Sequence, residues 1–61
     1  MASAMAREVI LRFVRNNPGL TEDQVVERLS DPVTEHLTRE TLAQMLVEGV
    51  VWQKMDRTYH A

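Results

Sequence analysis

Three helical patterns followed by one hairpin pattern predict a small α+β domain, mostly helical, in this 61-residue chain. Apolar residues recur at helical spacing in two stretches separated by Asn17-Pro18-Gly19, and a third stretch follows Ser30-Asp31-Pro32. Beyond Gly49 the pattern changes. Val50-Val51-Trp52 is β-branched and aromatic, and Arg57-Thr58-Tyr59 suits a returning strand.

The first helix is expected from Ser3 or Ala4 to Asn16, with Ser3 as its cap. Proline disfavours helical geometry in the residue before it, so Asn17-Pro18 ends the helix. Ala6, Val9, Ile10, Phe13 and Val14 form its apolar face, with Phe13 expected at the centre of the core. Arg7, Arg12 and Arg15 lie on the other side.

The second helix, Glu22 to Leu29, has complete start chemistry. Thr21 and Gln24 have capping-box spacing, and Leu20 with Val25 makes a hydrophobic staple. Glu22 and Asp23 occupy the first turn, where the helix dipole favours negative charge. Gly19-Leu20 can lie extended against the later hairpin.

Val33 to Leu37 reads as a loop, a helical turn or an early start to the third helix. A cap at Thr38 is favoured, because Leu37 and Leu42 then form a second staple. Leu42, Met45 and Leu46 face inward, Glu40, Ala43, Gln44 and Val47 outward, and Gly49 terminates the helix. The turn around Met55-Asp56 lacks glycine, so its type and the hairpin register stay open. Trp52 and Tyr59 are expected to pair across the hairpin and cover one side of the core.

Composition excludes several function classes. With no cysteine there is no disulfide or thiolate metal site. The only serines, Ser3 and Ser30, fall at cap positions, no glycine-rich phosphate loop exists, and His36 and His60 have no metal-ligand spacing. A non-enzymatic protein without a cofactor is expected. No apolar run approaches the roughly 20 residues that span a membrane, and residues 1–6 lack the form of a signal peptide, so a cytoplasmic location is expected. Seven basic and nine acidic residues give a net charge of −2, the opposite of the usual nucleic-acid footprint.

The order of these patterns resembles the winged helix-turn-helix domain of compact bacterial and phage regulators, over nearly the whole of residues 1–61. The resemblance rests on Asn17 to Leu29, Leu42 to Gly49, Val50-Val51 and Arg57 to Tyr59. It implies three helices followed by a two-stranded β-hairpin wing, and a DNA-binding transcriptional regulator of repressor type. It puts the helix at residues 38–48 in the major groove and the hairpin at 50–60 on the duplex as a wing. By donor and acceptor matching, Arg39 would pair with a guanine edge and Gln44 with an adenine edge. Thr38 would lie near phosphates or bases, Thr34 and His36 would reach phosphate from the preceding segment, and Lys54 and Arg57 would hold the backbone from the wing. A homodimer on a pseudo-palindromic site, paired through the first helix and the N-terminal Met-Ala segment, would double a weak basic footprint. Other residues on the face oppose this: Glu40 repels phosphate, and Glu35 and Asp56 cancel neighbouring positive charge. The alternative is a protein-interaction module in which Ala43, Val47 and the wing dock a partner without DNA.

Overall fold

A computed structural model describes residues 2–29 and 35–61. The chain forms helix α1 (Ala2–Asn16), strand β1 (Leu20–Thr21), helix α2 (Glu22–Arg28), helix α3 (Glu35–Glu48) and strands β2 (Trp52–Gln53) and β3 (Thr58–His60). The strands form one antiparallel sheet in the order β1-β3-β2, giving an α+β fold that is mostly helical. Leu20 pairs with Tyr59 and Thr21 with Thr58, while Trp52 pairs with His60 and Gln53 with Tyr59. The extended segment after Gly19 therefore does join the hairpin. The Gly19 amide donates to the Tyr59 carbonyl at 3.0 Å, closing the chain's last strand onto the end of α1. No helix among the described residues is long and apolar enough to cross a membrane.

Two helix ends follow their sequence chemistry. At the start of α2, Thr21 Oγ1 accepts from the Gln24 amide and Gln24 Oε1 accepts from the Thr21 amide, so two orphan donors are satisfied reciprocally. At the end of α3, Gly49 takes φ +78°, a conformation that costs a residue with a Cβ. Its amide donates to the Leu46 carbonyl and the Val50 amide to the Met45 carbonyl, the paired bonds of a Schellman motif.

Elsewhere the elements differ from expectation. Helix α1 starts at Ala2, so Ser3 lies inside it rather than capping it. Helix α3 starts at Glu35, three residues before the expected cap at Thr38. Thr38 and Thr41 are instead each only 4% exposed and share the buried stripe with Leu42 and Met45. The Thr41 hydroxyl donates to the Leu37 carbonyl at 2.7 Å, which lets a polar residue fill an inward position.

The core gathers Ile10 and Val14 from α1, Val25 from α2, Leu42 and Met45 from α3, then Val51 and Tyr59. Tyr59 is 2% exposed and takes the central place expected of Phe13, which packs at the margin. The reason is topological: β3 is the middle strand, so its inward residue lies at the base of the core to which all three helices contribute. Val9 is half-exposed, because the stripe that faces the core runs through Ile10 and Val14 instead. Trp52 is 52% exposed and does not cover the core with Tyr59. The turn after Gly49 sends Val51 inward, and strand alternation then sends Trp52 outward.

Two consequences are measurable. Thr21→Ala removes the cap and is expected to cost about 1 kcal/mol, seen as a fall in Tm of about 4–8 °C. Burial foremost, with the nearby Glu22 carboxylate, raises the Tyr59 pKa above its ordinary value of 10.0. A raised folded-state pKa means that the neutral phenol's contribution is complete below pH 10 and is lost as pH rises through the folded value. Tyr59 is the only tyrosine, so ultraviolet absorbance reads it directly. Ionisation above pH 10 with a parallel loss of stability is expected, and an ordinary titration would contradict its burial.

Candidate interaction face

The register of β1 and β3 carries the hairpin turn just beyond Thr21, beside the first turn of α2. An open cleft lined by Thr21, Glu22, Asp23, Gln53, Asp56 and Arg57 separates the two. Helix α3 borders the same region, because Arg39 reaches across to α2. Its guanidinium Nη1 lies 2.6 Å from Glu22 Oε2 and 3.0 Å from Asp23 Oδ1, and its Nε is 3.5 Å from Glu35 Oε2. Three carboxylates from two helices surround one guanidinium. The hydrogen bonds to Glu22 and then Asp23 raise its pKa far beyond the titratable range, so it remains a cation. Its donors are already directed at protein oxygens, whereas pairing with a guanine edge requires them free.

The other expected contacts divide into three groups. Thr38 is buried and cannot present its side chain to phosphate, which corrects its assignment as a nucleic-acid contact. His36 is exposed but its ring lies against the Glu40 carboxylate one turn later, while Gln44 is exposed on the outer side of α3. Lys54 and Arg57 are exposed at the hairpin turn and form no ion pair among the described residues. The contact expected from Thr34 lies outside the described residues. The structure thus brings Arg39 and the hairpin turn to one face, but Glu22, Asp23, Glu35, Glu40 and Asp56 come with them. Only the i,i+4 spacing of Glu35 and Arg39 marks this cluster in the sequence. Glu22 lies 17 residues before Arg39 and becomes its neighbour only through the packing of α2 on α3.

The hairpin turn explains how the chain reverses without glycine. The Arg57 amide donates to the Lys54 carbonyl at 2.8 Å, and the Lys54 amide donates to the Thr58 carbonyl at 3.0 Å. Arg57 takes φ +68°, the left-handed position that glycine normally fills in a three-residue hairpin loop. Side chains hold it there. Asp56 Oδ1 accepts from both the Thr58 amide (3.1 Å) and the Thr58 hydroxyl (2.6 Å), and Gln53 Nε2 donates to the Arg57 carbonyl. Thr58 Oγ1 also lies 2.9 Å from His60 Nε2. Its single proton is committed to the carboxylate, so His60 Nε2 must be the protonated nitrogen and the donor.

Two apolar features complete the surface. Val47 is 87% exposed on the outer side of α3. An open groove of about 300 Å³ runs between α1 and the start of α3, lined by Met5, Ala6, Val9, Leu29, Leu37 and Thr38 among others. Among the described residues, no group of three or more histidines and carboxylates could hold a metal ion. No protein-family model, curated protein or solved structure matches the chain.

The turn gives two expected outcomes. The hydrogen bonds from Thr58 lower the Asp56 pKa below 3.8. A lowered folded-state pKa gives stability that is present above 3.8 and lost as pH falls through the folded value. Acid titration followed by NMR should show the Thr58 amide losing hydrogen-exchange protection below pH 3.8, and unchanged protection there would contradict the turn chemistry. Arg57→Gly should relieve the left-handed backbone and stabilise the fold by about 1 kcal/mol, measured by urea unfolding.

Proposed function

We propose that the chain is a winged helix-turn-helix module that binds a cationic protein surface through the α3 face, and that it is not an enzyme. The winged-helix part of this reading is supported by the element order α1-β1-α2-α3-β2-β3 and the strand order β1-β3-β2, with β2 and β3 as the wing. The partner part rests on one observation. The arginine that would read a base is enclosed by Glu22, Asp23 and Glu35.

Glu22, Asp23, Glu35, Glu40 and Asp56 oppose Arg39, Lys54 and Arg57, so the face is net negative before His36 is considered. Duplex DNA presents dense negative charge, and binding draws its affinity from cations that displace counterions. This face would repel it. A partner bearing arginine or lysine would find carboxylates at the rim and an apolar contact at Val47 and Ala43. Charge complementarity of that kind steers association and selects the partner.

A second reading retains DNA as the ligand, and its support is the hairpin turn. Lys54 and Arg57 project there as exposed cations, and Gln44 remains exposed on α3. In that case Glu22, Asp23 and Glu35 would have to release Arg39 to phosphate.

An NMR amide-shift titration separates the two, using a mixed-sequence duplex and an arginine-rich peptide containing leucine. At low salt the peptide is expected to shift residues 35–47 and 53–57, and the duplex is expected to leave them unmoved. Shifts from the duplex that fade by about 200 mM salt, with none from the peptide, would replace the proposal with the DNA reading.

A further inference from the structure

We propose that the open edge of β2 is a self-pairing surface, on which a second copy of this chain adds its own β2 antiparallel across a two-fold axis at Gln53. The inference goes beyond the partner reading above and uses the backbone edge of β2, whose Gln53 and the adjoining Lys54 also border the α3 face. Strand β2 ends the sheet on the side away from β1, and both its residues are exposed.

The hydrogen-bond pattern fixes which backbone groups are available. The Lys54 amide donates to the Thr58 carbonyl, so those two residues face each other as a bonded pair. Bonded and non-bonded pairs alternate along an antiparallel ladder. Gln53, opposite Tyr59, is therefore a non-bonded pair, with its N–H and C=O directed away from β3. The Tyr59 carbonyl is consistent with this, because it accepts from Gly19 on the β1 side. Gln53 thus offers one donor and one acceptor at the sheet edge, the arrangement that invites strand addition.

Side-chain chemistry selects a second copy as the occupant. Pairing Gln53 with its symmetry mate exchanges two N–H···O bonds and sets Trp52 opposite Lys54 of the other copy, twice. Residues 52 and 54 share one side of the strand, so indole and ammonium meet on the same face of the joined sheet. An ammonium over an indole is a favourable cation–π pair. A C2 interface requires such self-complementarity, and the three consecutive residues Trp52, Gln53 and Lys54 provide it. The Asp56-Thr58-His60 hydrogen bonds hold the hairpin in shape, so little ordering is needed before pairing.

Trp52 is the only tryptophan, so its emission reports the edge directly. Sedimentation equilibrium and Trp52 fluorescence are to be recorded from about 10 µM to about 1 mM. The mass is expected to rise toward two copies while the emission maximum moves to shorter wavelength. Gln53→Pro removes an amide that faces outward, and proline is tolerated on edge strands. It also removes the Gln53 Nε2 bond to the Arg57 carbonyl, so Gln53→Ala, which loses that bond but keeps the amide, is the control. Gln53→Pro is expected to stay a monomer while Gln53→Ala associates as the wild-type chain does, and association lost equally in both would overturn the proposal. Lys54→Glu should weaken association several-fold through loss of the cation–π pair. A wild-type mass and emission that stay constant to the highest concentration would overturn the proposal. So would association that survives Gln53→Pro but disappears in Val9→Asp, which alters the groove on α1.

Discussion

Tyr59 joins the three-stranded sheet to the hydrophobic core that all three helices build. A 61-residue chain without cysteine buries only about 60% of the surface it exposes when unfolded, so it has little stability to spare. Its core must be closed by something large, and the closing residue is Tyr59 in the last strand. Tyr59 lies in the middle strand, pairs with both β1 and β2, and is buried in the core cluster to which all three helices contribute. Because Gly19 also bonds its carbonyl, the segment after α1 and the last strand are fastened at one position. The fold therefore depends on long-range contacts to its last strand, although most of its residues are helical.

That closure determines the chemistry of the candidate face. The phenol of Tyr59 comes within 3.5 Å of Glu22 Oε1, the outer limit of a hydrogen bond, while the other oxygen of Glu22 holds Arg39. Glu22 thus faces the core residue on one side and the cation of α3 on the other. Packing α2 against β3 and α3 necessarily gathers Glu22, Asp23 and Glu35 around Arg39. A residue that looks available for recognition in the sequence becomes part of a charge cluster joining two helices. The same packing turns the face bordered by α3 and the hairpin turn acidic.

Features determined by neighbouring residues were legible in the sequence. Thr21 and Gln24 announce the capping box, Gly49 announces the end of α3, and the β-branched run after it announces the hairpin. Features determined by distant packing were not. Thr38 and Thr41 are polar by type, yet their helical spacing with Leu42 and Met45 places them in the buried stripe. Phe13 is the more apolar aromatic, but it sits near the end of α1, where its carbonyl accepts from Asn17, and Tyr59 holds the centre. The left-handed Arg57 depends on bonds from Gln53 and within Asp56-Thr58 that no local propensity specifies. Of the residues expected to contact DNA, Gln44, Lys54 and Arg57 stay exposed, Thr38 is buried, and His36 and Arg39 are engaged by carboxylates.

The central claim is that Arg39 is occupied by protein carboxylates in solution. NMR of the arginine side chains at neutral pH and low salt tests it without reference to any partner. The account predicts a slowly exchanging Arg39 Nε–H and resolved guanidinium protons, distinct from those of Arg12 and Arg15, and their collapse to averaged signals in Glu22→Gln. Arg39 signals already averaged in the wild-type chain would mean that the guanidinium is free, and the acidic-face reading would then be contradicted.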